Sequence, residues 1–312
     1  MVMTAIRSYL QLVRLPAVFT AMADIFLGFL LTHNALHPAS EFCKLLAASS
    51  CLYLAGMVFN DVFDRTTDAV ERPNRPLPSG HVSVTAACGI GAMLVVAGNL
   101  AAYSVGTKSL VIALALSLCI FAYDGCAKKT FLGPVAMGGC RFLNVMLGAS
   151  ATFFVWATPQ WFVALALGVY VAGVTWFAQH EAIISRRGHL VAATGVMSLG
   201  LLLLFFFVVA GRLPPFAVPL LNWTGAGSGN GDPLLAILLL FVVLVSILRR
   251  ALSAIFHPNP ARVQAAVKTM LLSLVLLDAT IVFFKTGSGP YALATASLVI
   301  PAMYLGRWIF IT

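Results

Sequence analysis

Acidic side chains are scarce in this chain: ten in 312 residues, against nineteen lysines and arginines. Charged residues of both signs make up only 9%, hydrophobic residues 61%, and the mean hydropathy is +0.97. Those values exclude a soluble globular protein and place the chain in the membrane class. No CxxC spacing occurs among the six cysteines, and most of them fall in apolar segments. They read as small packing residues and not as metal or disulfide sites. The net charge of +9 forms no continuous basic stripe, because the cations sit in short groups between apolar runs. No nucleic acid partner is expected. No small-residue cleavage signal follows Arg7 and Arg14, and the short amphipathic stretch they flank is expected to lie on the membrane surface.

What the chain has instead is ten apolar runs, at about 15–32, 41–59, 82–104, 108–123, 134–156, 160–179, 190–211, 233–248, 265–284 and 290–310. Most approach the roughly 20 residues that cross a bilayer as helix. With the N-terminus inside, alternation puts fifteen of the nineteen cations on the inner face and leaves Lys44, Lys108, Arg212 and Lys285 outside. That bias is what the positive-inside rule requires. A single all-α domain over 1–312 is expected, since no soluble domain, low-complexity tail or assertable repeat interrupts the pattern. The outer segment 212–232 is rich in Pro and Gly and reads as a connector.

The inner stretch Asn60–Gly80, NDVFDRTTDAVERPNRPLPSG, breaks the scarcity of acid. Asp61, Asp64, Asp68 and Glu71 place four of the ten acidic residues within eleven positions. Continued as helix from the preceding run, Asp61, Asp64 and Asp68 fall at i, i+3 and i+7 and stack on one face. Converging carboxylates suit a hard divalent ion, Mg²⁺ above all, with positions left for phosphate oxygens. Arg72 and Arg75 follow at once, and guanidinium groups suit phosphate.

The other inner loops share this face. One supplies Tyr123, Lys128 and Lys129; the next helix carries Arg141 and Asn144, three residues apart on one face of an apolar helix. A guanidinium there faces a polar interior. The third supplies His180, Glu181, Arg186 and Arg187. The same four cations at 128, 129, 186 and 187 would also serve as plain inner-face anchors. Asp24 and Asp278 lie within apolar spans and line a cavity or make structural hydrogen bonds.

Asn60-Asp61-x-x-Asp64-x-x-x-Asp68, followed by Arg72-Pro73-x-Arg75-Pro76-Leu77-Pro78-Ser79-Gly80, resembles the first aspartate-rich signature of the UbiA-type intramembrane prenyltransferases. Tyr123 with Lys128 or Lys129 resembles that family's tyrosine-and-lysine element. The run Tyr123–Gly148 is most similar to the UbiA-like branch that includes EboC proteins. The resemblance implies an all-α polytopic transmembrane bundle of nine or ten spans around a central cavity open to lipid. It implies Mg²⁺-dependent transfer of a prenyl group from a prenyl diphosphate to an aromatic or other lipophilic acceptor. Asp61, Asp64, Asp68 and Tyr123 are then the expected catalytic residues, and Asp61, Asp64, Asp68 and Glu181 the expected metal ligands. Asn60, Arg72, Arg75, Lys128, Lys129, Arg141, Asn144, His180 and Arg186 are expected to bind substrate. The departure is in the second motif, where Thr175–Ala182 keeps Glu181 as its one acid. That loss leaves open a non-catalytic relative that binds or moves a lipid or small amphiphile. A bacterial inner membrane, with the site facing the cytoplasm, is the expected location.

Reporter fusions in the 60–80 and 249–262 loops are expected to report the same, inner side of the membrane. Opposite sides would contradict the ten-run arrangement.

Overall fold

The structure, a computed structural model, describes residues 2–152, 158–179, 181, 184–211 and 230–309. Thirteen α-helices occur among them, and no strand. They are α1 (Val2–Leu12), α2 (Val18–Thr32), α3 (Ala39–Phe63), α4 (Arg65–Glu71), α5 (Val84–Tyr103), α6 (Thr107–Ala122), α7 (Gly133–Gly148), α8 (Thr158–Ala178), α9 (Arg187–Ala210), α10 (Pro233–Phe256), α11 (Pro260–Thr286), α12 (Gly289–Ser297) and α13 (Val299–Ile309). Most of the connector at 212–232 lies outside the described residues.

Local chemistry sets several helix ends. Ser83 accepts from the Ala86 N–H at 3.1 Å, Asp232 from Leu234 at 2.8 Å and Asn259 from Arg262 at 3.0 Å. Pro233 and Pro260 open their helices, where a missing N–H costs nothing. Gly287, at φ 66°, closes α11 in the left-handed conformation that suits glycine.

The protein is an all-helical, multi-pass membrane bundle. Eight helices among the described residues are long and apolar enough to cross a bilayer. The two remaining apolar runs behave differently. Run 134–156 yields α7, whose 16 residues extend about 24 Å at 1.5 Å per residue. The last run divides into α12 and α13 around Leu298, and Pro301, which has no N–H to donate, stands three positions beyond the break.

Helices α3, α5, α6, α7, α8, α9, α10 and α11 follow one another as packed neighbours, α8 also touches α11, and α2 closes the ring by packing on α3, α7 and α11. Burial identifies the centre: 67% of the apolar window is buried in the span that contains α2 and in α11, against 22% in α5 and α6. Met93, Val96, Leu100, Leu118, Phe241 and Val242 face outward from α5, α6 and α10. Such surfaces suit lipid, which gives apolar side chains no reason to turn inward. Where α2 crosses α7, glycine permits the approach: a Cβ on Gly28 would lie 2.8 Å from the Ala149 nitrogen and 2.9 Å from the Gly148 Cα. This crossing carries Asp24 of α2 to the Arg141 and Asn144 face of α7.

Candidate active site

The acidic loop is helical through most of its length, as its spacing predicts, but it breaks at Asp64. Asp64 has φ −85° and ψ 0°, ends α3 and precedes α4. The break separates the three carboxylates into two groups. Asp61 and Asp68 meet at Arg75, whose Nη1 lies 2.6 Å from Asp68 and 3.4 Å from Asp61. Asp64 turns to Lys128 and forms an ion pair with it.

The Pro-rich segment after α4 returns Arg75 to these acids. Val82 donates to the Pro76 carbonyl at 3.0 Å, and Gly80 adopts φ 74° in the turn between them. Leu77 and Val82 are buried with Leu12, Val58 and Ala87 in a small apolar cluster. That cluster anchors the turn, and Arg75 projects from its N-terminal side. Asp61 is also held from the chain's first segment: Arg14 Nη2 lies 2.7 Å from it and 3.4 Å from the Asn60 side-chain oxygen. Burial would lower the Arg14 pKa, but the charge and hydrogen bond of Asp61 reverse that, and the net shift is upward. The guanidinium stays charged. Arg14 has φ 47° and ψ 47°, an uncommon conformation for a residue other than glycine.

Two cavities meet here. The outer one, about 1130 Å³, brings together Asn60, Asp64, Asp68, Arg72, Arg75, Tyr123, Lys128, Lys129 and Glu181 of the expected set. The inner one, about 220 Å³, is lined by Arg141 and Asn144 and by Asp24, Ser49, Tyr53 and Asp124. Arg14, Asn60, Tyr123 and Lys128 line both and form the wall between them. Asp61 is buried beneath Arg14 and Arg75. Glu181 is half-buried, and burial pushes its carboxyl pKa up while Arg72 opposes the shift.

Arg141 and Asn144 face a polar interior, but their groups are already engaged. Arg141 donates to Asp24 at 2.6 Å and to the Thr20 carbonyl at 3.0 Å. Asn144 donates to Asp24 at 2.7 Å and accepts from Ser49 at 2.7 Å. Their role here is to neutralise a carboxylate that is 0% exposed. Asp278 is as deeply buried and lines neither cavity. Arg186 is exposed, precedes α9 as its N-cap residue, and lines neither cavity. His189 lines the outer cavity instead, with Nε2 2.7 Å from the Trp176 carbonyl oxygen. His180 lies outside the described residues. Sequence reasoning missed Arg14, which it read only as the flank of a stretch on the membrane surface, and Asp124, which belongs to none of its motifs but accepts from Asn60 Nδ2 at 2.7 Å.

The donors suit a hard divalent ion, with a restriction. Among the described residues no three His, Cys, Asp or Glu side chains come together closely enough to hold one ion alone. Asp61, Asp64 and Asp68 each commit one oxygen to a cation and leave the other without a hydrogen bond among the described residues. That arrangement fits Mg²⁺ held through one or two carboxylates, the remaining positions going to water and phosphate.

Comparison with known proteins gives a consistent picture. The model of the UbiA prenyltransferase family matches residues 21–261. The digeranylgeranylglyceryl phosphate synthase of Methanoregula boonei is 30% identical over 257 residues, covering 77% of this chain and 84% of that protein. The enzyme of the same description from Saccharolobus solfataricus is 29% identical over 150 residues, 48% of this chain and 53% of that protein. The chain thus spans about half the length of several of the curated relatives it matches. In fold it is similar to a UbiA homolog from Aeropyrum pernix K1, with a TM-score of 0.63 at 18% identity, covering 85% of this chain and 96% of that one. It is also similar to a UbiA homolog from Archaeoglobus fulgidus bound to DMAPP and Mg²⁺, with a TM-score of 0.58 at 13% identity, covering 93% of this chain and 99% of that one.

The buried Asp24–Arg141 pair generates a stability test. Asp24→Ala strands a guanidinium and is expected to cost about 3–5 kcal/mol, whereas Asp24→Leu combined with Arg141→Met recovers most of that loss. Thermal unfolding in lipid nanodiscs reads both; an Asp24→Ala variant as stable as the parent would contradict the pairing.

Proposed function

Because the chain belongs to the UbiA prenyltransferase family, we propose that it is a Mg²⁺-dependent enzyme that moves a prenyl group from a prenyl diphosphate to a lipophilic acceptor, aromatic or otherwise. The observation that carries this reading is the outer cavity, where Asp68 is held by Arg75 and Asp64 by Lys128 around space for a diphosphate. Mg²⁺ bound at Asp61, Asp64 or Asp68 would offset charge on the leaving diphosphate.

The chain's own residues do the rest. Arg72 and Lys129 are exposed and line the cavity, so they meet an incoming diphosphate first. Arg75 and Lys128 hold the carboxylates in place and gain phosphate oxygens as further partners. Asn60 and Tyr123 stand in the wall between the cavities, beside the reacting carbon in this reading. Glu181 adds one acid from the far side of the outer cavity and would hold a second ion only weakly. The apolar helix faces accommodate the prenyl tail and keep water from a developing allylic cation.

The relatives named above are described as digeranylgeranylglyceryl phosphate synthases. The similarity to the EboC-containing branch rests on Tyr123–Gly148 and is part of this proposal. So are the cytoplasmic orientation, which follows from the cation bias, and the bacterial inner membrane, since the homologues are mostly archaeal. The second reading is a non-catalytic UbiA-like protein that binds or moves a lipid or small amphiphile, and the thinning of the second motif to Glu181 favours it.

Asp61→Ala combined with Asp64→Ala separates the two. Enzyme is expected to lose at least about two orders of magnitude in Mg²⁺-dependent release of diphosphate from geranyl or geranylgeranyl diphosphate while staying folded. A folded double variant with parental turnover would remove this loop from the chemistry, and a parent protein with no turnover on any donor length would support the non-catalytic reading.

A further inference from the structure

The outward face of α10 ends in charge. Leu238, Val242, Val245, Arg249, Leu252 and Phe256 follow one another at alternating spacings of four and three, which places them in one stripe along the helix. All six are exposed, while Leu240, Val243 and Ile247 are buried on the opposite side. Lipid satisfies an apolar stripe, but the guanidinium within this one needs an anion. Asp232 caps the other end of α10. Arg249 stands seventeen positions from it, about 25 Å along the axis, so with Asp232 at one surface a hydrocarbon core of about 30 Å puts Arg249 at its opposite edge.

Three more arginines gather at this corner. Arg250 is adjacent, and Arg262 of α11 reaches Ser253 Oγ at 3.3 Å, one turn beyond Arg249 and Arg250. Arg187 donates to the Phe256 carbonyl at 3.2 Å and so satisfies the end of α10. No acid occurs in 184–211 or 233–268, and Arg249, Arg250 and Arg262 form no ion pair among the described residues. The cations of the outer cavity differ, since Arg75 and Lys128 each have a carboxylate.

Alternation by three and four is also the spacing of paired helices, which makes a second copy of the chain the rival occupant. Two copies in one membrane are related by a twofold axis along the membrane normal, and that axis sets Arg249 against its own equivalent at the same depth. Like charges at the edge of the hydrocarbon oppose this contact. The phosphate of an anionic lipid complements the same guanidiniums.

We propose that this face of α10 binds one anionic phospholipid of the cation-rich leaflet, its phosphate on Arg249, Arg250 and Arg262 and an acyl chain along Val245, Val242 and Leu238. The lengths agree: eleven positions from Leu238 to Arg249 extend about 16 Å, and the hydrocarbon of one leaflet is about 15 Å deep. Leu252 and Phe256 continue into the head-group region. The site uses nothing from the outer cavity, so it stands whether or not the chain transfers a prenyl group.

Native mass spectrometry tests this on the full chain released from nanodiscs that hold equal amounts of phosphatidylglycerol and phosphatidylcholine with matched acyl chains. The parent is expected to retain one phosphatidylglycerol, favoured about tenfold or more over phosphatidylcholine. Arg249→Gln combined with Arg262→Gln is expected to lower that ratio at least about fivefold. Arg65→Gln, which removes an exposed cation from α4, is expected to leave it unchanged. Glycerophosphoglycerol, the head group without its chains, is expected to leave the lipid in place at equal concentration. Equal retention of both lipids by the parent, an unchanged ratio in the double variant, an equal fall in Arg65→Gln, or displacement by the bare head group would each overturn the proposal. So would a main species of two chains that Val245→Trp returns to one, because it gives the stripe to a second copy. Should the double variant fail to insert, the parent ratio, Arg65→Gln and the bare head group still decide.

Discussion

A charged carboxylate in an apolar bundle is costly without a cation beside it, and four ion pairs organise this protein's inner face. Asp24 with Arg141 joins α2 to α7; Asp61 with Arg14 joins α3 to the segment before α2. Asp68 with Arg75 closes the Pro-rich turn, and Asp64 with Lys128 joins the end of α3 to the loop before α7. All but Asp68–Arg75 link segments that lie far apart in sequence. For the buried Asp24–Arg141 pair, removing either member leaves its partner desolvated and without its counter-charge, a far larger loss than the pair's net contribution.

The pairs are not equivalent in exposure. Asp24 is fully buried, its guanidinium partner has 11% of its side-chain surface exposed, and a second donor, Asn144, is already in place. That pair is structural. Around the outer cavity the cations keep 21–29% of their side-chain surface exposed, and their carboxylates each hold an oxygen without a hydrogen bond among the described residues. Those pairs have capacity to accept a metal ion and a diphosphate without being dismantled first. Arg14, Arg75 and Lys128 pre-position the acids, and a bound diphosphate would supply the anion that these cations would otherwise lack once the carboxylates turn to metal.

Much of the architecture was legible because period and hydropathy act locally. The helical runs, the membrane class and the concentration of acid after the second run all follow from residues near one another. The division of Asp64 from Asp61 and Asp68 did not, because a single break in backbone geometry rotates one side chain away and nothing in the spacing marks it. Arg14 was legible only as the flank of a surface-lying stretch, since a cation beside an apolar run looks the same whether it faces headgroups or a carboxylate 47 positions later. Arg186 stands the other way round: its cluster suggested cavity lining, and the structure places it exposed at the start of α9. Asp124 was hidden by its neighbour Tyr123, and its place in the inner cavity wall, held by Asn60 from α3, exists only in the assembled bundle.

The account's central claim is that the carboxylates of Asn60–Gly80, held by cations and with no three close enough to hold an ion alone, bind metal together with a diphosphate. Mn²⁺ is a spectroscopic stand-in for Mg²⁺, and its free concentration is read by electron paramagnetic resonance. The direct measurement is Mn²⁺ titration of the protein in nanodiscs with and without geranyl S-thiolodiphosphate, an unreactive donor analogue, corrected for Mn²⁺ bound by the analogue in protein-free nanodiscs. Metal binding to the protein at least about tenfold tighter in the presence of the analogue is the predicted result. Equal affinity with and without it, or no binding in either case, would contradict the account.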